Sequence, residues 1–231
     1  MHNSLYNTFL EAKKNNHKLL AILIDPEKFA LENTASFLRN LPSQTTHIFV
    51  GGSTVPEGST ASLIREIKLY TAKPVILFPG DVSQITETAD GLLFLSLLSG
   101  RNPEYLIEQQ VKAVSKLRGS QLEVISTGYI LINGANESAI ARVTNTQPID
   151  QININAIVDT AKAGELMGAK LMYLEAGSGA KVPVSSEIIN AVKKELAIPL
   201  IVGGGIKTKE QMEQAYNAGA TMIVMGTAFE N

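Results

Sequence analysis

The segment PLIVGGGI (199–206) joins an apolar run directly to three glycines, and TMIVMGT (221–227) has a similar arrangement further along the chain. A run that stays apolar, instead of alternating with polar residues, is typical of a parallel strand buried on both faces. Glycine at the end of such a strand lets a ligand approach backbone N–H groups closely. The two segments therefore predict parallel strands with a ligand site at their carboxyl ends.

Six similar apolar runs precede these two: LLAILI (19–24), THIFV (46–50), PVILF (74–78), GLLFL (91–95), LEVIS (122–126) and LMYLE (171–175). Stretches with helical periodicity lie between the runs, at 61–70, 103–118, 156–168, 185–196 and 208–218. Eight strands that alternate with helices predict an α/β protein with a single (β/α)8 TIM-barrel domain over residues 1–231. A doubly wound sheet is the alternative.

Two features depart from a regular barrel. Only twelve residues, 79–90, separate the third run from the fourth, which leaves space for a short helix at most. The chain also ends six residues after the eighth run, which is too few for a full closing helix. Either a helix predicted at Leu5–Lys14 covers that end, or a native tail is missing from the sequence.

The composition narrows both the chemistry and the location. The 231 residues include no cysteine and three scattered histidines, and the formal net charge is −2. These counts exclude a disulfide framework, a thiolate zinc site and a cysteine nucleophile, and they argue against nonspecific nucleic-acid binding. Oxygen ligands would hold any metal, which favours Mg²⁺ over zinc. Without an apolar signal segment or a stretch long enough to cross a bilayer, we expect a cytoplasmic protein.

Glycines are concentrated where the predicted strands end. They follow the second strand (Gly51, Gly52), the third (Gly80), the fifth (Gly128), the sixth (Gly177, Gly179), the seventh (Gly203, Gly204, Gly205) and the eighth (Gly226). The loops after strands seven and eight are where barrels commonly bind phosphate. The glycines at 203–205, together with Gly226 and Thr227, therefore predict a phosphate site. Tight turns without a ligand are the alternative.

A carboxylate ends the first strand, in the segment LIDPEK (23–28). Because it follows a buried strand, Asp25 would point at the mouth of the barrel, as a Mg²⁺ ligand or as an acid/base group. The alternative is a helix cap or a turn acid before Pro26. After the second strand, the hydroxyls of Ser53 and Thr54 could complete the shell of a hard cation beside Asp25, or they could cap a helix.

The sixth strand ends in YLEAGSG (173–179). Alternation places Tyr173 and Glu175 on one face of the strand and Leu174 on the other. If that face is the lumen, a phenol and a carboxylate meet beside the phosphate-binding glycines, where they could hold a polyol hydroxyl and accept its proton. A buried tyrosine–glutamate hydrogen bond that serves structure alone is the alternative.

Other side chains carry weaker signals. Lys207 and Arg101 could meet phosphates or could be solvated, and Lys28 is expected at the surface. The apolar run 92–98 could line a groove beyond the fourth strand, although buried core is the simpler use of such a run. These residues do not define a site by themselves.

Seven motifs, in this order from about residue 19 to the end, resemble those of geranylgeranylglyceryl phosphate synthases and their bacterial PcrB-like relatives. They are LIDPEK, FVGGST, LFPGD, LSLLSGRNP, YLEAGSGA, IVGGGI and GTAFEN. Within that family the sequence looks like the larger-chain group. The resemblance implies a modified TIM barrel that lacks the usual third helix, and the short connection 79–90 agrees with it.

By the same resemblance, the protein would be a Mg²⁺-dependent prenyltransferase of archaeal-type ether lipid synthesis. It would join a polyprenyl diphosphate, typically geranylgeranyl diphosphate, to sn-glycerol 1-phosphate through an ether bond and release diphosphate. Asp25 and Ser53 would hold Mg²⁺, and Glu175 would take the proton of the glycerol hydroxyl that Tyr173 helps to hold. The residues implied in glycerol phosphate binding are Tyr173, Leu174, Glu175, Ala176, Gly177, Ser178, Gly179, Gly204, Gly205, Gly226 and Thr227.

The family also implies a homo-oligomer, a dimer or a hexamer, and transient contact with a membrane surface is a further expectation. Three other functions compete: a sugar-phosphate isomerase or lyase of the ribulose-phosphate-binding barrels, an FMN oxidoreductase, and a non-catalytic phosphate-binding scaffold. The isomerases and lyases would need neither a metal pair at Asp25 and Ser53 nor a groove for a C20 chain. A flavin would colour the purified protein.

Overall fold

Eight parallel strands form a closed barrel in a computed structural model that describes residues 4–226. The strands are β1 (Leu19–Ile24), β2 (His47–Val50), β3 (Val75–Leu77), β4 (Gly91–Leu97), β5 (Glu123–Leu131), β6 (Leu171–Glu175), β7 (Leu200–Gly203) and β8 (Met222–Met225). Each strand pairs with the next in sequence, and β1 closes the barrel by pairing with β8. The predicted (β/α)8 barrel is confirmed, and the doubly wound alternative is wrong.

Eight α-helices lie within residues 4–226: α1 (Leu5–Asn15), α2 (Thr34–Arg39), α3 (Ser59–Tyr70), α4 (Gln109–Leu117), α5 (Ala139–Thr144), α6 (Ile154–Leu166), α7 (Ser186–Glu195) and α8 (Lys209–Ala218). A π-helical turn, Glu104–Glu108, runs directly into α4. The start of α8 shows why local sequence predicts these helices well. Thr208 and Gln211 form a reciprocal capping box that satisfies N–H groups at the helix start.

No α-helix separates β3 from β4 in the described chain, as the short connection predicted. The segment forms a single 3-10 turn, Val82–Gln84, which begins where the Asp81 carboxylate accepts a hydrogen bond from the Ser83 N–H at 2.6 Å. This turn occupies the position of the helix that normally follows the third strand of a barrel.

The lumen and the outer layer have separate apolar cores. Along β6, Leu171 and Tyr173 pack in the lumen, whereas Met172 and Leu174 pack beneath the surrounding helices. Every residue of β6 is buried, which explains why the strand reads as a continuous apolar run. The lumen is therefore packed with side chains over most of its length, and open space is confined to one end.

The placement of Gly128 is a correction to the sequence analysis. We expected this glycine in the loop after the fifth strand, but β5 continues to Leu131 and Gly128 lies inside it. A Cβ at this position would lie 2.7 Å from the Met172 side chain and 2.9 Å from that of Leu98. Gly128 therefore serves close packing between the barrel and its outer layer, and it contributes nothing to the mouth.

Helix α1 closes the amino-terminal end of the barrel. Phe9 is fully buried and belongs to the lumen core. The carboxylate of Glu123, at the start of β5, accepts hydrogen bonds from the Ser4 hydroxyl at 2.5 Å and from the N–H groups of Leu5 and Tyr6 at 2.6 and 2.8 Å. These bonds satisfy N–H groups that a helix start leaves unpaired. Because α1 covers the amino-terminal end, the carboxyl-terminal mouth is the open end.

Candidate active site

A cavity of about 520 Å³ opens at the carboxyl ends of the strands. One part is polar and includes Asp25, Ser53, Glu175 and the glycine loops after β6 and β7. The other part, called the apolar arm below, is lined by Phe78, Ile85, Phe94, Leu95, Leu97, Tyr105, Ala113, Ile140 and Val143. The segment 92–98, considered above as core or groove, therefore contributes side chains to a groove as well as to core.

Tyr173 and Glu175 point into this cavity from the lumen face of β6, as alternation predicted. Glu175 is only 6% exposed, and its Oε1 accepts a hydrogen bond from the Gly177 N–H at 2.7 Å. Burial raises the pKa of Glu175 to about 7, although the Gly177 N–H and the Tyr173 hydroxyl both act to lower it. A carboxyl group with this pKa can take up and release a proton near neutral pH.

Gly203, the last residue of β7, and Gly204, which follows it, allow Tyr173 and Glu175 to approach the backbone. A Cβ on Gly203 would lie 2.3 Å from the Tyr173 hydroxyl oxygen and 2.8 Å from Glu175 Oε2. A Cβ on Gly204, where φ is +82°, would lie 2.4 Å from Glu175 Oε1. All three distances are too short for any side chain, so glycine is required for the carboxylate to lie against this loop.

Three aromatic rings form one wall of the cavity. The Tyr173 ring centroid lies 5.2 Å from those of both Phe78 and Tyr129, and Phe78 and Tyr129 are 5.8 Å apart. The buried hydroxyl of Tyr129 has no hydrogen-bond partner among residues 4–226, whereas the buried hydroxyl of Tyr173 lies beside the Glu175 carboxylate. Burial, and secondarily the charge of Glu175, raises the pKa of both phenols well above 10. Both hydroxyls therefore remain protonated and can donate to a ligand.

Asp25 lies on the opposite side of the mouth, after β1. Its Oδ1 accepts a hydrogen bond from the Glu27 N–H at 3.1 Å, and its Oδ2 forms an ion pair with Lys28 Nζ at 3.2 Å. Asp25 thus stabilises the turn that contains Pro26, and its side chain also lines the cavity. Lys28, expected at the surface, lines the cavity too, although its side chain is half exposed.

Ser53 lines the cavity next to Gly52, whose Cα packs against the Asp25 carboxylate. The described residues contain no group of three or more acidic or histidine side chains able to hold a metal. Asp25 and Ser53 nevertheless offer hard oxygen donors, and Mg²⁺ commonly binds through one or two carboxylates plus the phosphates of a substrate. The donor set therefore fits Mg²⁺ that is shared with a phosphorylated ligand.

The cavity does not include every residue expected to bind glycerol phosphate. Its lining contains Tyr173, Glu175, Ser178, Gly179, Gly204, Gly205 and Gly226. Leu174 and Ala176 are buried among outer-layer side chains, and neither residue nor Gly177 lines the cavity. Thr227 lies outside the described residues. Lys207 and Arg101 were both considered as phosphate ligands. Lys207 lines the cavity. Arg101 does not line it and donates a hydrogen bond to the Leu98 carbonyl instead.

Sequence reasoning missed Phe78, Tyr129 and Lys28. Phe78 follows β3 directly, in the same position relative to its strand as Asp25 has relative to β1. Tyr129 pairs in register with Tyr173, so the alternation along β5 carried a usable signal once β5 was known to reach Leu131. The sequence alone ended that strand too early for the signal to be seen.

Known proteins resemble this chain over almost its whole length. Residues 12–231 match the model of the PcrB family. A geranylgeranylglyceryl phosphate synthase of Zunongwangia profunda is 57% identical over 227 residues, which cover 98% of this chain and 97% of that protein. A protein of the same name from Flavobacterium johnsoniae is 54% identical over 229 residues, or 99% of this chain and 94% of that protein.

A solved structure shares the fold closely. It is (S)-3-O-geranylgeranylglyceryl phosphate synthase from Thermoplasma acidophilum in complex with its substrate sn-glycerol-1-phosphate. The TM-score is 0.91 at 33% sequence identity, with 99% of this chain and 92% of that chain covered. In the chain described here, no helix within residues 4–226 is long and apolar enough to span a membrane.

Proposed function

The chain belongs to the PcrB family, and on that premise we propose that it transfers a geranylgeranyl group from its diphosphate to sn-glycerol 1-phosphate. The observation that carries the proposal is the continuity of one cavity. Glycine loops and a buried carboxyl group occupy one part, and an apolar arm extends from the other. An isomerase of small sugar phosphates has no use for such an arm. A prenyltransferase needs both parts, because its two substrates differ in polarity.

Glycerol phosphate would bind on the β6–β7 side. The loops at 177–179 and 203–205 include Gly177, Gly179, Gly204 and Gly205 at positive φ, a conformation that exposes backbone N–H groups to an anion. Tyr173 and Glu175 lie beside these loops and would hold the C3 hydroxyl. Because the pKa of Glu175 is about 7, its carboxylate form is available at neutral pH to accept the hydroxyl proton.

The diphosphate would bind on the β1–β2 side, where Asp25 and Ser53 would hold Mg²⁺. When bound there, Mg²⁺ would offset the negative charge that develops on diphosphate as it leaves. Lys28, which forms an ion pair with Asp25, would contact the diphosphate from the same side. The prenyl chain would then extend along the apolar arm, and the cavity volume of about 520 Å³ lies within the roughly 300–1,000 Å³ typical of ligand sites.

Bond formation would take place between the two sides. The C3 oxygen of glycerol phosphate bonds to the allylic carbon, the bond from that carbon to diphosphate oxygen breaks, and Glu175 takes the hydroxyl proton. The aromatic wall formed by Phe78, Tyr129 and Tyr173 would stabilise positive charge on the allylic carbon wherever an open ring face meets it, because aromatic faces attract cations. Burial of the Tyr129 and Tyr173 rings would help to keep water from the same carbon.

Turnover with matched substrates tests the proposal. The purified protein is incubated with Mg²⁺, C15, C20 or C35 prenyl diphosphate, and either enantiomer of glycerol phosphate, and the products are separated by chromatography and identified by mass. We expect a prenylglyceryl phosphate ether, formed fastest from the C20 substrate and the sn-1 enantiomer, and none without Mg²⁺. Absence of product with every pairing would overturn the proposal.

A homo-oligomeric state, a dimer or hexamer, and a cytoplasmic location remain predictions. Light scattering of the purified protein gives its mass in solution, and cell fractionation gives its location. Transient contact with a membrane surface is also still a prediction, and vesicle co-sedimentation with and without the lipid product tests it.

A further inference from the structure

The 3-10 turn that replaces the third helix carries a buried glutamine. Gln84 is 2% exposed, and its side chain pairs with the backbone of Gly52 in both directions. Its Nε2 donates to the Gly52 carbonyl at 2.7 Å, and its Oε1 accepts from the Gly52 N–H at 3.2 Å. Only one orientation of the amide satisfies both groups, because a flipped amide would place donor against donor and acceptor against acceptor.

Gly52 is the residue on which several parts of the site converge. A Cβ there would lie 2.4 Å from Asp25 Oδ1, and a Cβ on Gly80 would lie 2.4 Å from the Gly52 carbonyl oxygen. The backbone of 51–53 is thus confined between the Asp25 carboxylate on one side and the segment after β3 on the other. Ser53 follows Gly52 directly, so any shift of Gly52 moves Ser53 relative to Asp25.

The turn is itself held from a second direction. The Val82 N–H donates to Oε1 of Gln109, the first residue of α4, at 3.2 Å. Gln109 also lines the cavity. The shortened connection therefore links the loop that carries Ser53 to the helix beside the arm, and Gln84 makes the link to the loop.

We propose that Gln84 is a positioning residue, which fixes Gly52 and Ser53 so that the Ser53 hydroxyl and the Asp25 carboxylate face one diphosphate-bound Mg²⁺. The inference rests on the proposed function, because it assumes that these two groups bind the metal. Mg²⁺ requires near-ideal octahedral geometry and tolerates displaced ligands poorly. Loss of groups that orient metal ligands typically lowers metal affinity about 10–100-fold.

The test measures binding, with turnover as a second readout. Calorimetry gives the Kd of geranylgeranyl thiolodiphosphate, an unreactive analogue, with and without Mg²⁺, and separately the Kd of glycerol phosphate. For Gln84→Leu we expect Mg²⁺-dependent binding of the analogue to weaken about 10–100-fold, with little change in glycerol phosphate binding. Gln84→Asn keeps a buried amide but is one methylene too short to reach both Gly52 groups, so it carries the test if Gln84→Leu does not fold.

Gln151 provides a matched control. Its amide also bridges backbone groups, donating to the carbonyls of Asn133 and Pro183 and accepting from the Ser185 N–H, and it does not line the cavity. Gln151→Leu should lower Tm comparably and leave Mg²⁺-dependent binding unchanged. Two results would overturn this inference and leave the proposed function intact. One is unchanged Mg²⁺-dependent binding of the analogue in a folded Gln84 variant, and the other is an equal loss of that binding in Gln151→Leu. Failure of the wild-type protein to bind the analogue with Mg²⁺ overturns the proposed function and this inference with it.

Discussion

The two sides of the cavity mouth present their carboxylates in opposite ways. On the β6–β7 side, Glu175 is 6% exposed, and the groups that lower its pKa are an uncharged N–H and an uncharged hydroxyl. On the β1–β2 side, Asp25 forms an ion pair with Lys28 at 3.2 Å. A buried carboxyl group without a paired cation exchanges a proton readily, whereas an ion-paired carboxylate can exchange one cation for another. The contrast supports the proposed division, in which one side transfers the proton and the other binds diphosphate.

Removing the base tests this division most strongly. Glu175→Gln keeps the shape of the side chain but cannot accept a proton, and we expect kcat to fall roughly 10²–10⁴-fold, the usual contribution of a general base. The wild-type kcat should rise with pH through about 7 as Glu175 loses its proton, and the variant should lack that rise. Wild-type turnover in a folded Glu175→Gln protein would contradict the assignment.

The charged side is tested by Asp25→Asn. The uncharged amide is a weaker ligand of Mg²⁺ than a carboxylate, so the Mg²⁺ concentration for half-maximal rate should rise about 10–100-fold. The Kd of glycerol phosphate, measured without Mg²⁺, should stay close to wild type because that substrate would bind on the other side. If the Kd of glycerol phosphate rose by the same factor as the Mg²⁺ requirement, the two sides would not act separately.

Alanine substitutions at two glycines distinguish the cost of backbone strain from the cost of a collision with Glu175. Gly58 and Gly204 have nearly the same φ, +81° and +82°, but a Cβ on Gly58 meets no atom within 4 Å, whereas one on Gly204 collides with Glu175. Gly58→Ala should cost about 1–2 kcal/mol of unfolding free energy from φ alone. Gly204→Ala should cost about 2–5 kcal/mol in total, because overpacking adds to the strain. Denaturant unfolding of both variants measures the difference, and equal losses would contradict the contact.

The smallest expected effect is on the pH dependence of stability. The pKa of Glu175 is raised from 4.5 to about 7 by folding, so the folded protein holds this proton more tightly than the unfolded chain. The stability that results is fully present below about pH 4.5 and is lost as the pH rises through about 7. The Tm of Glu175→Gln should therefore fall less than that of wild type across this window, by a few degrees. Parallel Tm profiles would show that Glu175 is not buried as described.

The sequence determined much of this protein through local patterns. Eight apolar runs identified the strands, the twelve-residue segment 79–90 identified the missing helix, and alternation along 171–175 placed Tyr173 and Glu175 on one face. These features depend on neighbours a few residues apart, because burial and side-chain direction repeat along a strand. They were therefore predictable without a structure.

Other features of the site arise only when the barrel closes. Tyr129 joins Tyr173 because the register of β5 and β6 pairs the two residues, and Phe78, after β3, reaches both rings because the barrel is closed. Gln84 contacts Gly52 across 32 positions in the sequence. It lies in a turn, where the sequence has no periodic pattern that would predict the direction of the side chain. Contacts of this kind depend on strand register and loop path, which are set by the packing of the whole barrel. For that reason the tertiary structure alone decided which residues complete the site that the sequence had outlined.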